Sequence, residues 1–348
     1  MKNIQYLKFF ISISLLITLF SCNNKNQDVQ ELLKNAIPAQ SKEIEIDFLL
    51  GKPSQIALFD QTLIIADNME EKLLTFYDIR ENRFLGRQVQ VGQGPNEVIP
   101  PILLSRTSES NNLSILQRQS GKYLVYNIDS ILNGDLEPSN SLELGIADRI
   151  TQTGDGFITT GPYNEGSIRI FDNKGNIVKN QNIYPQYIKE LSERESQYVF
   201  AQGHIAYNKE HKVLAFASYF LGDLAFYKLS GDSLQQLKQL DFSLSNTLRN
   251  RITNSNEVGQ IMDKDLEYFS DIYATTNYFY LLYTGISRKD KNSISKSYIF
   301  KFSAEGELMT TYKTDRKIIS FCAKNDDKKG YALALSPDMD YILVEIDL

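Results

Sequence analysis

The sequence predicts an all-β fold, a six-bladed β-propeller in which a strand near the amino terminus closes the last blade. Three observations lead there. An apolar, often aromatic strand followed by a polar turn and a second strand recurs as "LLTFYDIRENRFLGRQVQV", "YLVYNIDSILNGDLEPSNSLEL", "SIRIFDNKGNIVKN", "DLAFYKLSGDSLQQLKQL" and "SYIFKFSAEGELMTTYKT". With Tyr77, Tyr126, Phe171, Tyr227, Lys301 and Val344 as markers, the steps are 49, 45, 56, 74 and 43 residues, which suits a four-stranded unit. Each marker strand also follows another β-rich run ("TLIIAD", "NLSILQR", "GFITTG", "KVLAFAS", "YFYLLYTG", "YALALS"). Their aromatic and β-branched residues suit a pleated, half-buried surface.

The chain opens with an export signal, residues 1–21. Lys2 and Lys8 are followed by a twelve-residue, mainly apolar run, 9–20, which "LFSC" ends. Twelve helical residues reach about 18 Å, short of the roughly 30 Å hydrocarbon core of a bilayer, so the segment is a cleavable signal rather than a span. "LFSC" matches a bacterial lipobox, which marks Cys22 as the lipidation site. Acyl chains there would hold the protein at a membrane without a spanning helix. Residues 22–42 read as a polar tether with one helical turn around 31–35. The propeller domain then runs from 43 to 348. Its sixth unit, "DYILVEIDL", ends before a second strand, and "EIEIDFLL" at 43–50 is expected to supply it.

Between blades one and two stands "GQGPNEV", residues 92–98. It lacks both the strand-to-helix setting and the Lys-Ser or Lys-Thr ending of a phosphate loop. Gly92, Gly94 and Pro95 supply the geometry of a radial corner from rim to axis. Asn96 and Glu97 arrive near the channel mouth, either to cap backbone amides or to face a ligand. Two stretches break the rhythm. Residues 185–200 carry Tyr187, Ile188, Leu191 and Tyr198 at helical spacing and read as a short surface helix. Residues 243–269 read as a long polar insertion, and such insertions on a rigid scaffold are common binding positions. Tyr163 in "GPYNEGS" and Tyr219 in "ASYFLGD" lie in reversals, where they can line the mouth or pack between blades.

Composition excludes several functions. Loss of Lys2 and Lys8 with the signal leaves 35 basic and 43 acidic residues, net −8 from −6, with no basic cluster for a nucleic-acid partner. Beyond Cys22 the only cysteine is Cys322, read as a buried small hydrophobe, so no disulfide framework forms. His204 and His211, the only histidines, read as surface or turn residues, and no third nitrogen or thiolate completes a zinc site. No G-x-S-x-G elbow occurs. "KNDDKKG" at 324–330 sets its acids among lysines and reads as a solvated hairpin rather than a calcium loop. Neither metal nor cofactor is expected. Trp is absent while Tyr numbers 20 and Phe 19, which lowers the prospect of broad sugar platforms without removing it.

The lipobox, the G-x-G-P-x-E corner, the "FDNKGN" hairpin at 171–176 and "YFSDIYATTNYFYLLYTG" at 268–285 together resemble the six-bladed TolB-like β-propeller lipoproteins of Bacteroidetes over residues 43–348. The resemblance implies a propeller at the cell envelope. Surface-exposed lipoproteins of that group often carry an acidic cluster after the cysteine, whereas this chain has "CNNKNQD", which favours an outer-membrane lipoprotein facing the periplasm. Two functions fit. The favoured one is a membrane-anchored, non-catalytic binding or scaffold module for an envelope protein, peptide or glycan. The alternative is a propeller hydrolase or lyase using channel-mouth acids such as Glu97, with or without calcium.

Overall fold

The computed structural model describes residues 28–94, 96–105, 111–254, 260–293 and 295–348. The signal peptide, Cys22 and Pro95 lie outside them. The described chain opens with helix α1 (Val29–Lys34), followed by two short strands, β1 (Ile37–Ala39) and β2 (Ser41–Glu43). Asp28 caps α1, its carboxylate accepting the Gln30 amide at 2.9 Å.

Six four-stranded units follow in the predicted order. Blade one is β3 (Pro53–Phe59), β4 (Thr62–Met69), β5 (Lys72–Asp78) and β6 (Arg83–Gln90). Blade two is β7 (Ile102–Ser105), β8 (Asn112–Gln117), β9 (Lys122–Asn127) and β10 (Asn140–Glu143), with helix α2 (Ile128–Leu132) before the last strand. Blade three is β11 (Arg149–Gln152), β12 (Gly156–Thr160), β13 (Ile168–Asp172) and β14 (Ile177–Gln181). Helices α3 (Gln186–Lys189) and α4 (Arg194–Ala201) lead into blade four, which is β15 (Gly203–Asn208), β16 (Val213–Ser218), β17 (Asp223–Ser230) and β18 (Ser233–Asp241). Helix α5 (Thr247–Asn254) precedes blade five: β19 (Leu266–Ala274), β20 (Tyr278–Ser287), β21 (Tyr298–Ser303) and β22 (Leu308–Thr314). Blade six is β23 (Lys317–Ala323), β24 (Lys329–Leu335) and β25 (Tyr341–Asp347), completed by β2.

The innermost strands β3, β7, β11, β15, β19 and β23 neighbour one another around the axis, and β23 meets β3 to shut the ring. Aromatic side chains fill the space between blades four and five, where Phe226 lies edge-on to Phe279 at 5.6 Å and Phe242 packs against Phe269 and Phe300. Every blade junction also carries a hydrogen bond. Gln55 Oε1 accepts the Leu104 amide at 2.7 Å between blades one and two. Gln152 Nε2 donates to Ser114 Oγ at 2.8 Å between three and two. The Gln181 amide exchanges bonds with the Leu234 backbone between three and four, and Asn208 Nδ2 donates to the Thr275 and Thr276 carbonyls between four and five. Thr275 and Tyr280 hydroxyls donate to Asp327 between five and six, and the Ile56 amide donates to Ser320 Oγ between one and six. These polar groups are thus satisfied across blade junctions, which fixes the angle between neighbours as well as their contact.

The closing strand differs from expectation in position. Ser41, Lys42 and Glu43 pair with Ile346, Glu345 and Val344, and the Ile44 amide donates to Leu343 O at 2.9 Å. Residues 45–50 form no strand; Ile44, Ile46, Phe48 and Leu50 pack instead on the core between blades six and one. The alternation in "EIEIDFLL" therefore records burial beneath the returning chain. An outermost strand faces solvent and needs no apolar side chains.

Residues 28–42 likewise lie against the propeller rather than hanging as a tether. Val29 is buried among the aromatics of blades four and five, and β1 adds a fifth, parallel strand to β22. The expected helix at 185–200 is split into α3 and α4, and the insertion read as 243–269 ends at 265, since β19 begins at Leu266. Helix α2 was hidden inside a stretch read as strand and turn; Asn127 caps it by accepting the Ser130 amide at 3.0 Å.

Candidate functional site

In each blade the start of the innermost strand pairs with the end of the second, as in Arg149 with Thr160 and Gly203 with Ser218. Segments entering an innermost strand therefore share one face with the loops leaving the second strand. Arg118, Asp148, Tyr163, His204, Tyr219, Glu267 and Arg288 all lie on this face, together with α3, α4 and α5. Here the channel opens into a cavity of about 250 Å³ lined by residues of all six innermost strands and by Arg118.

The charged centre is Asp148, on the segment entering β11 and itself buried. Its carboxylate pairs with Arg118 and, at 2.8 Å, with Arg149 Nη1, which also donates to the Asp148 carbonyl at 2.9 Å. Tyr198 of α4 adds a hydrogen bond. Burial alone would push the Asp148 carboxyl up, but Arg149, Tyr198 and Arg118 outweigh it and hold it below the ordinary carboxylate range. Beside this centre, Glu267 at the start of β19 accepts the Tyr219 hydroxyl and lies 3.5 Å from Arg288 Nε. Burial, together with the Glu267 carboxylate, raises the Tyr219 phenol. The Tyr219 ring lies 6.1 Å from His204 and 4.6 Å from Phe220.

Deeper in the channel Asp271 is engaged on both oxygens. Ser320 Oγ and the Phe321 amide donate to Oδ2 at 3.0 and 3.1 Å, and the Ile272 amide donates to Oδ1 at 2.9 Å. Among the described residues no group of three or more His, Cys, Asp or Glu is placed to hold a metal ion.

The residues singled out in the sequence occupy different settings. Glu97 folds back on its own corner, with Oε2 accepting the Gly94 amide at 2.8 Å and its own amide donating to Gly94 O at 3.2 Å. A methyl group at Gly92 would sit 1.9 Å from that carboxylate oxygen. Asn96 is exposed and takes the left-handed conformation at φ 64°, which Asn tolerates. Tyr163 is buried: its hydroxyl bonds Thr159 Oγ1 at 2.6 Å, Arg169 stacks on its ring at 4.0 Å, and burial pushes its phenol up to about 12. None of Asn96, Glu97, Tyr163 and Tyr219 is among the residues lining the cavity, though Tyr219 stands at its rim beside His204.

Sequence reasoning passed over Arg118, Asp148 and Arg149. Their signal was a charged residue at the end of an apolar run, in "NLSILQR" and "IADRI". His204, read as a surface or turn residue, lines the cavity from β15, whereas His211 lies in a turn 3.6 Å from Glu305. Cys322 is fully buried, as its apolar neighbours suggested.

Comparison with known proteins bears directly on this architecture. The family model described as TolB-like 6-blade propeller-like matches residues 32–326. The chain belongs to the TolB-like six-blade propeller family. No curated protein matches it. Among solved structures, an exported protein of Bacteroides fragilis is 13% identical with a TM-score of 0.57, the alignment covering 89% of this chain and 94% of that one. A member of the duf4221 family from Bacteroides vulgatus is 12% identical with a TM-score of 0.57, covering 89% and 96%. A luciferin-regenerating enzyme is 11% identical with a TM-score of 0.51, covering 89% and 95%. At these identities the likeness is one of fold. No helix among the described residues is long and apolar enough to cross a membrane.

Proposed function

We propose that this TolB-like propeller is a lipid-anchored, periplasm-facing binding module of the outer membrane, which captures an envelope protein, peptide or glycan on the face bearing Tyr219, α4 and α5 without breaking a bond. One observation carries the reading: the carboxylates around the channel mouth are committed. Asp148 is held by Arg118, Arg149 and Tyr198, Glu267 by Tyr219 and Arg288, and Asp271 by a hydroxyl and two backbone amides. A general base or nucleophile needs a convergent set with a group available to the reacting atom, and committed carboxylates suit a rigid binding rim better. The lipobox at Cys22 and the exported neighbour from Bacteroides fragilis support the envelope location.

Two measurements test the reading. Cys22→Ala should move the protein from the membrane to the soluble fraction with its fold unchanged; retention on membranes after a high-salt wash contradicts the anchor. Crosslinking and pull-down from intact envelopes should capture a discrete partner that Tyr219→Ser loses. Equal capture by the variant, or none by the wild type, removes the binding face.

A further inference from the structure

The cavity inside the rim has a chemistry of its own. Each guanidinium offers five donors. Arg118 and Arg149 each commit a terminal nitrogen to Asp148, and both Nε groups are buried without a hydrogen-bond partner. Ser270 Oγ, also in the lining, is buried and unpartnered as well. Buried donors without acceptors are rare in native proteins and ask for one. The two arginines and Asp148 together leave one positive charge at the mouth. The rest of the lining is mixed, with Ile102, Ile150 and Ile319 beside Ser54, Gln55 and Thr151. Asp271, the remaining lining carboxylate, is already met by the Ile272 and Phe321 amides and the Ser320 hydroxyl.

We propose that Arg118 and Arg149 receive the carboxylate of a small organic acid whose body fills the cavity. This deepens the binding reading and rests on it. The class follows from charge, shape and size. A planar carboxylate matches a guanidinium fork, a monoanion matches the one charge by which Arg118 and Arg149 exceed Asp148 at the mouth, and about 250 Å³ equals the liquid volume of roughly eight water molecules, enough for one small acid.

Calorimetric titration of the mature chain with benzoate and hexanoate tests this, with benzamide as the uncharged isostere and phenyl phosphate as the dianion. At least one of the two acids should bind saturably at a single site, with benzamide about tenfold weaker or more. Arg118→Gln, which leaves Arg149 to hold Asp148, should weaken the acid about tenfold. Asp148→Asn removes the competing carboxylate and should tighten it severalfold, a gain that damage to the fold cannot produce. The proposal is overturned if neither acid saturates, if benzamide binds equally well, if Arg118→Gln changes nothing, or if phenyl phosphate binds more tightly than benzoate. Continued capture of a Tyr219-dependent envelope partner alongside failed acid binding would remove this inference alone; loss of both would remove the binding reading too.

Discussion

Gly121 leaves no room for a side chain. It has φ +69°, and an added Cβ would stand 1.6 Å from the carbonyl oxygen of Gly145, on the segment leaving the same blade. Backbone cannot swing aside as a side chain can, so Gly121→Ala should cost about 2–4 kcal/mol in urea denaturation. Gly134→Ala is the control: at φ +88° and with nothing within 4 Å, it should lose only the strain of the left-handed conformation, about 1 kcal/mol. Equal losses at the two sites would show that the collision is relieved elsewhere. Glu97 is a gentler case, because its carboxylate bonds the Gly94 amide in a partly exposed corner. Glu97→Ala should cost about 0.5–1 kcal/mol, and Glu97→Gln, which keeps an acceptor oxygen, less than half of that. A loss of acid binding in Glu97→Gln would contradict its assignment to the corner.

Elements outside the blade rhythm are held by ion pairs. Arg249 of α5 donates to Asp223 at 2.8 Å and to Asp241 at 2.6 Å, and Arg251 meets the buried Asp265 at 2.7 Å. Asp223 and Asp241 are direct partners in the β17 and β18 register, so two carboxylates share one guanidinium. Burial pushes Asp223 up to about 6 against the pull of Arg249, with the like charge of Asp241 adding to the rise. In Asp241 burial is outweighed by the Arg249 and Ser243 hydrogen bonds, and its carboxyl is held below the ordinary range. Between the unfolded value near 3.8 and the folded value of about 6, the native state binds the Asp223 proton more tightly than the unfolded chain does. Through this group, stability is therefore lost as pH rises from 4 to 7. The stability of wild type relative to Asp223→Asn should fall by about 2–3 kcal/mol over that range, and a flat difference would refute the raised carboxyl. Below pH 3.8 the depressed Asp241 works in the opposite sense, its contribution vanishing as it protonates.

The same elements show what a sequence conveys. Blade number and order were legible because period-two apolar runs such as "VLAFAS" and Gly, Asn or Asp turns depend only on near neighbours. Helix α2 was not, since "NIDSIL" is rich in isoleucine and its signal is one cap at Asn127. The mouth was half legible. Tyr219 was placed in the correct reversal, but the pairing of Arg118 with Asp148 spans thirty residues and two blades and has no local signature.

At the scale of the whole molecule, the amino-terminal segment acts on three blades. Val29 of α1 is buried among the aromatics of blades four and five, β1 covers the edge of β22, and β2 covers the edge of β25. Side chains reinforce the join between β1, β2 and blade five: Ser41 Oγ donates to Asp315 at 2.7 Å, and Glu43 lies 3.2 Å from Arg316. A chain starting at Asp28 keeps all of these contacts and should melt with the mature protein. A chain starting at Ile44 loses them, baring the edges of β22 and β25 as templates for pairing with another chain. It should melt about 10 °C lower or more, as expected for the loss of several kcal/mol, and should run as oligomers in light scattering. The junction hydrogen bonds are unaffected by this truncation, so the comparison separates two means of holding a ring. If the shorter chain stays monomeric and melts unchanged, the junctions suffice and the overlap of the chain ends is dispensable. If it melts early or aggregates, the ring depends on borrowing its last strand from the amino-terminal segment.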